Sequence, residues 1–248
     1  MTIDAPIGSP SPEVRKTNSF QRMAGAIFAP VSTFAEIARL PDWVIPIVLF
    51  TIILVVSSFV VAPHFDMEST LRHQLEAQHQ SPEKTERAIE LANKVKSFVP
   101  YFSLITSPLS FVVVAAVLLI AFKLFAGEGT FPQYLSVVLY GWIPMLLQGI
   151  ISTAIVSTRG MIGQEEMMSI VRSNPGFLVD PHSAAIPFAL LSSIDVFTIW
   201  TLALLTIGCA FVARISRGKS AAIVGVLWVV VVVFKVTMAA IRGLGAGA

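Results

Sequence analysis

The feature that most constrains this chain is a set of five long apolar stretches, at residues 43–62, 104–125, 134–156, 186–212 and 221–241. A helix needs about 20 mostly apolar residues to cross the hydrocarbon core of a bilayer. Lipid offers no partner for backbone N–H and C=O groups, so only helices and closed barrels span it. These stretches are too long and too continuous for barrel strands. The expected fold is an all-α integral membrane protein with five transmembrane helices, accompanied by short interfacial and outer amphipathic helices. Composition agrees: 55% of the 248 residues are hydrophobic and 13% charged, against about 25% charged in soluble domains, and the mean hydropathy is +0.78.

The net charge of +2 is too small to point to a nucleic-acid partner. The single cysteine, Cys209, lies in an apolar stretch and leaves no internal disulfide to form. The N-terminal sequence has no apolar core behind a basic start, so it does not read as a cleaved signal peptide and the first span is expected to direct insertion. Orientation rests on Lys and Arg in the flanks. Counted with Lys123, the basic residues on the two sides of a five-span protein are equal in number, but "RISRGK" (214–219) packs three into one short link. That density, with Arg15, Lys16, Arg22 and Arg39 before the first span, predicts a cytoplasmic N-terminus and an outside C-terminus. A bacterial cytoplasmic membrane is the expected location.

The link between the second and third spans carries its own instructions. Gly127-Glu128-Gly129 reads as a tight turn, Thr130 and Gln133 as a capping box, and Pro132 as a first-turn proline whose missing N–H costs nothing. Pro144 falls inside the third span, where a kink is tolerated if neighbours satisfy the freed carbonyl.

Outside the spans, residues 1–18 read as a disordered tail and 19–41 as two short amphipathic helices, leaving 42–248 as the membrane domain. Phe20, Met23, Ala24, Ile27 and Phe28 recur at helical spacing. Two readings stay open: a helix lying in the membrane interface, with Phe20, Arg22, Ile27 and Phe28 as its contacts, or a helix packed under the bundle. In the long loop, Ser81, Pro82 and Glu83 start a helix whose Ile89, Ala92, Val95 and Val99 form one apolar face, expected to cap the outer mouth. "GQEEMMSIVRSNPG" (163–176) reads as its counterpart.

Nothing in the chain carries the spacing of a phosphate loop, zinc site, nucleophile elbow or carboxylate pair, so no catalytic residue, metal or cofactor is expected. His64, His73, His79 and His182 read as solvated loop residues, and Ser57-Ser58 and Ser192-Ser193 as small polar residues at helix contacts. Lys123 sits near a span end and can snorkel. Asp195 and Lys235 lie deeper, at estimated depths of about 13 Å and 9 Å from the same end. Intramembrane ionisable groups are expensive, and these two are expected either to pair structurally or to line a transport pathway.

Three stretches carry a family resemblance: "FAPVSTFAEIARLPDWVIPIVL", "GEGTFPQYLSVVLYGWIPMLL" and "IDVFTIWTLALLTIGCAFVARISRGKSAAIVGVLW". Together, in this order, they resemble the Yip domain family (Ypt-interacting proteins) in its bacterial branch. The resemblance implies five spans and a cytosolic N-terminus. Eukaryotic members bind Rab-type GTPases and organise vesicle traffic, with an Asp-Leu-x-Gly-Pro stretch before the first span. Here "AIFAPV" keeps Pro30 but lacks the Asp, Leu and Gly, so GTPase binding is not carried over. The expected function is a non-enzymatic membrane-organising or partner-recruiting scaffold. Its expected partners are the lipid bilayer and a protein partner or a second copy. The alternative is a small transporter or channel using Asp195 and Lys235.

Overall fold

The computed structural model describes residues 17–77, 79–163, 166–167, 170–180 and 184–246. The expected tail, apart from its last two residues, and His182 therefore lie outside the described residues, as do Arg15 and Lys16 of the orientation argument. The elements are α1 (Ser19–Phe28), α2 (Pro30–Arg39), α3 (Val44–His64), α4 (Met67–Ala77), α5 (Pro82–Lys96), α6 (Val99–Leu124), α7 (Phe131–Gly141), α8 (Ile143–Val156), α9 (Ala185–Leu191), α10 (Val196–Ala213) and α11 (Arg217–Ala246). The described residues hold no strand beyond an isolated parallel bridge between Phe65 and Ile162. The protein is an all-α integral membrane protein: α3, α6, α10 and α11 are each long and apolar enough to span, and α7 with α8, bent by 41° where they join, is apolar enough to form either a broken fifth span or a re-entrant pair.

At the centre stands α7, buried at every residue from Tyr134 to Gly141. Glycines let the neighbouring helices close on it. A Cβ at Gly208 of α10 would lie 2.6 Å from Val137 of α7 and 2.8 Å from Phe34 of α2. One at Gly141 would lie 2.9 Å from Leu205. Van der Waals contact between close backbones replaces the hydrophobic drive that lipid removes. The outward faces are correspondingly apolar: Val48, Ile52 and Val56 on α3, Leu109, Val113 and Val117 on α6, and Val226, Val230 and Phe234 on α11 are exposed.

The link from α6 to α7 follows its local sequence. Gly129 has φ 101°, in the left-handed region that favours glycine, and a side chain there would strike Val212. Gln133 Oε1 accepts from the Thr130 N–H at 2.8 Å, the reach-back half of a capping box. This turn is bound to the end of α10 by Glu128 N–H donating to Ala213 O at 3.0 Å. Gln133 Nε2 also donates to Ala38 O at 2.5 Å, so α2, the α6–α7 turn and the α10–α11 link gather at one rim.

Several expectations change. The stretch 186–212 is not one helix: it is divided into α9 and α10 by residues 192–195. The third span is broken at Trp142, and Pro144 falls in the first turn of α8 rather than in a helix interior. Ser81 and Pro82 do open α5. Its partner, however, is α4, which hydropathy alone does not reveal, and the two pack chiefly on each other instead of capping the bundle. Leu91, Val95 and Phe98 stay exposed. Of the 163–176 stretch, residues 164, 165, 168 and 169 lie outside the described residues, and 170–174 is not helical.

Candidate functional site at the start of the α10 span

A helix that starts inside a bundle exposes N–H groups that the preceding turn cannot satisfy. At the start of α10 the chain supplies acceptors for the first three N–H groups of the helix. Asp195 is the N-cap, and its Oδ1 accepts from Phe197 N at 2.8 Å and Thr198 N at 3.3 Å. Val196 N donates to Ser173 O at 3.2 Å. The other carboxylate oxygen accepts from Ser173 Oγ, from Gln148 Nε2 at 3.2 Å and from Asn174 Nδ2 at 3.4 Å. Asp195 is only 3% exposed, so five donors replace the water it has lost. Removing a carboxylate from water costs several kcal/mol, which such a shell offsets.

Lys235 is placed near this cluster but does not pair with Asp195. Its Nζ donates to Ser192 Oγ at 2.9 Å and to Ser193 Oγ at 3.3 Å, two hydroxyls in the break itself. Among the described residues no ion pair within 4 Å joins the two charges; Lys235 is held on hydroxyls two and three residues before Asp195, near enough for the carboxylate to act on its charge. A turn and a half further along α10, Thr201 Oγ1 is buried with no hydrogen-bond partner among the described residues. Gln148, Ser173 and Asn174 escaped the sequence reading because each comes from a distant part of the chain. The Asp195 cap itself had a signal, an aspartate directly before an apolar run.

A second polar cluster ties α1 and α2 to the bundle. Arg22, expected beside the bilayer, is turned inward and 5% exposed. Its guanidinium meets Glu36 at 2.9 Å and Leu40 O at 2.8 Å. Burial pushes the Glu36 carboxyl up, but hydrogen bonds from Thr17 and the Arg22 charge outweigh it and hold the group below its ordinary value. Asp42 accepts from Ser19 Oγ at 2.5 Å and from Tyr140 Oη of α7 at 2.9 Å. Ile27 packs against the core. Phe20 and Phe28, by contrast, are 63% and 85% exposed.

Of the two histidines whose side chains are described, His64 has its Nδ1 2.8 Å from Val60 O and His79 is exposed. Among the described residues no group of three or more His, Cys, Asp or Glu side chains is placed to hold a metal ion.

The model of the Yip1 domain matches residues 24–238. The chain belongs to the Yip1 domain family. The match starts inside α1 and ends within α11, so this Yip1 domain protein carries α2 and its spans, apart from the end of the last one, within the family's own unit. In it, "AIFAPV" forms the α1–α2 corner: Ala29 leaves helical geometry and Pro30 opens α2. Neither a search of the curated proteins nor one of the solved structures finds a match.

Proposed function

We propose that this Yip1 domain protein is a non-enzymatic scaffold of a bacterial cytoplasmic membrane, which organises the bilayer or recruits a partner protein from its N-terminal rim. One observation carries the reading. The Arg22–Glu36 and Asp42–Tyr140 contacts fix α1 and α2 to the central helix while Phe20 and Phe28 stay exposed. A rigid element that presents aromatic residues at the membrane surface acts as a wedge in one leaflet. Exposed Arg39, Lys123, Arg214, Arg217 and Lys219 on the same rim support a cytoplasmic orientation.

The test is reconstitution of the full chain into vesicles of phosphatidylcholine and phosphatidylglycerol, imaged by electron cryomicroscopy. Wild type should narrow the vesicle radius, and Phe20→Ser with Phe28→Ser should abolish the change. Equal radii would remove the wedge. Labelling of a cysteine at Gly218 in a Cys209→Ala background, by an impermeant reagent in intact cells, would reverse the orientation.

Transport is a second reading, supported by the buried Asp195 at the start of the α10 span and by the break between α7 and α8, since discontinuous helices often surround a transport site. Vesicles loaded with a pH-sensitive dye decide the proton case. Flux that falls in Asp195→Asn would favour transport, and no flux above empty vesicles would count against it.

A further inference from the structure

Between the ends of α2 and α10 lies an open cleft of about 280 Å³. It is lined by the apolar Ala35, Ala38, Phe211 and Val212 together with the basic Arg39 and Arg214. Gln133 also lines it, but its amide is committed to Ala38 O and Thr130, so it serves to hold α2 in place. We propose that this cleft binds the phosphate group of an anionic phospholipid, with the first part of its acyl chains resting on the apolar lining residues.

Three observations point to this ligand. The first is level: α10 is an 18-residue apolar helix that ends at Ala213, directly beside the cleft. The end of such a span marks the headgroup layer, where lipid phosphates are the abundant anions. The second is charge. Arg39 makes no ion pair or hydrogen bond among the described residues. Arg214 meets Glu128 at 3.1 Å, but both side chains are more than half exposed, and one nitrogen in that pair leaves most of the guanidinium free. The third is shape and chemistry. A cleft lined by both apolar side chains and two guanidinium groups matches a phosphate joined to an apolar body, and guanidinium groups bind phosphate oxygens in pairs. A simpler role competes with this one: cations near the C-terminal ends of α2 and α10 complement the helix dipoles without binding anything.

Native mass spectrometry of the full-length protein, in mild detergent with equal phosphatidylglycerol and phosphatidylcholine, separates these roles. Wild type should retain phosphatidylglycerol selectively, and Arg39→Gln with Arg214→Gln should lower that retention about thirtyfold, as loss of two cations facing an anionic headgroup implies. Arg87→Gln, on the opposite rim, should match wild type. Ala35→Leu should fill the cleft and lose the lipid with both arginines intact, which keeps the proposal testable if the double variant misfolds. Circular dichroism checks the fold of each variant. Equal retention by wild type and a folded double variant would overturn the site and leave only the dipole role. Inorganic phosphate bound as tightly as phosphatidylglycerol would assign the cleft to the free ion and overturn the lipid.

Discussion

Where α7 passes into α8, the backbone ladder runs up to Trp142 and resumes from it. Trp142 N donates to Val138 O at 2.9 Å, and Leu146 N donates to Trp142 O at 3.0 Å. The chain bends by 41° with no charged side chain at the bend. Where α9 passes into α10, the ladder stops. Four residues intervene, and a buried carboxylate, a distant serine carbonyl and three polar side chains complete the bonds. The difference is one of accounting for N–H groups. A bend at a proline loses a donor that is absent anyway, whereas a helix restarted inside the bundle needs acceptors from elsewhere. The first kind of break needs only local sequence. The second needs a fold.

Substitution sets the two breaks apart most sharply at Asp195. Asp195→Ala strands two backbone N–H groups and removes the acceptor of Ser173, Gln148 and Asn174. It should cost about 3 kcal/mol or more, since each buried unsatisfied group costs roughly 1–3 kcal/mol. Thermal unfolding in nanodiscs measures this, and a shift as small as that of a surface control would mean that α10 does not depend on its cap.

The N-terminal rim uses the same device as the polar break, a buried charge satisfied by distant groups, and should respond similarly. Arg22→Met leaves Glu36 without its cation. Breaking a buried pair costs about 3–5 kcal/mol. Here the Glu36 side chain keeps 20% exposure, so a loss of about 2 kcal/mol is expected in the same melt. Acid should act in the same direction. The Glu36 carboxyl is held below its ordinary value of 4.5, so its contribution is present above that pH and is lost as pH falls further. Wild type should therefore lose stability below pH 4.5 relative to Glu36→Gln, and parallel curves would contradict the assignment.

Pro144→Ala should have the smallest effect. In a continuous helix the new N–H would donate to the Tyr140 carbonyl, and forming that bond would straighten the span slightly. The change in stability should stay within about 1 kcal/mol. Distances between spin labels near the ends of α7 and α8 would show whether the 41° bend persists. A large loss of stability would place the hinge among the features that need tertiary support.

What was legible in the sequence divides along the same line. Gly127, Gly129, Thr130 and Gln133 announced the α6–α7 turn because each acts within a few residues of itself. The spans were legible from hydropathy because lipid selects on composition. The break at 192–195 was not, because the apolar flanks of Ser192 to Asp195 dominate any window wide enough to detect a span. Its stability comes from Gln148 and Ser173, far away in the chain. Arg22 misled for the same reason: its spacing marks it as polar, and only the α1–α2 corner shows that Glu36 folds back to meet it. The helix α4 is short and polar, and it is held by α5 rather than by its own pattern.

The most direct test asks whether Asp195 acts as the cap of α10 or as one half of a charge pair. A double-mutant cycle of Asp195→Asn and Lys235→Met, followed by thermal unfolding in nanodiscs, isolates the coupling between the two side chains. With Lys235 held by Ser192 and Ser193 and Asp195 held by its own five donors, only the longer-range attraction between the two charges couples them, and the coupling should stay below about 1 kcal/mol. A coupling of about 2 kcal/mol or more would contradict this, showing that the two charges meet in the bilayer after all.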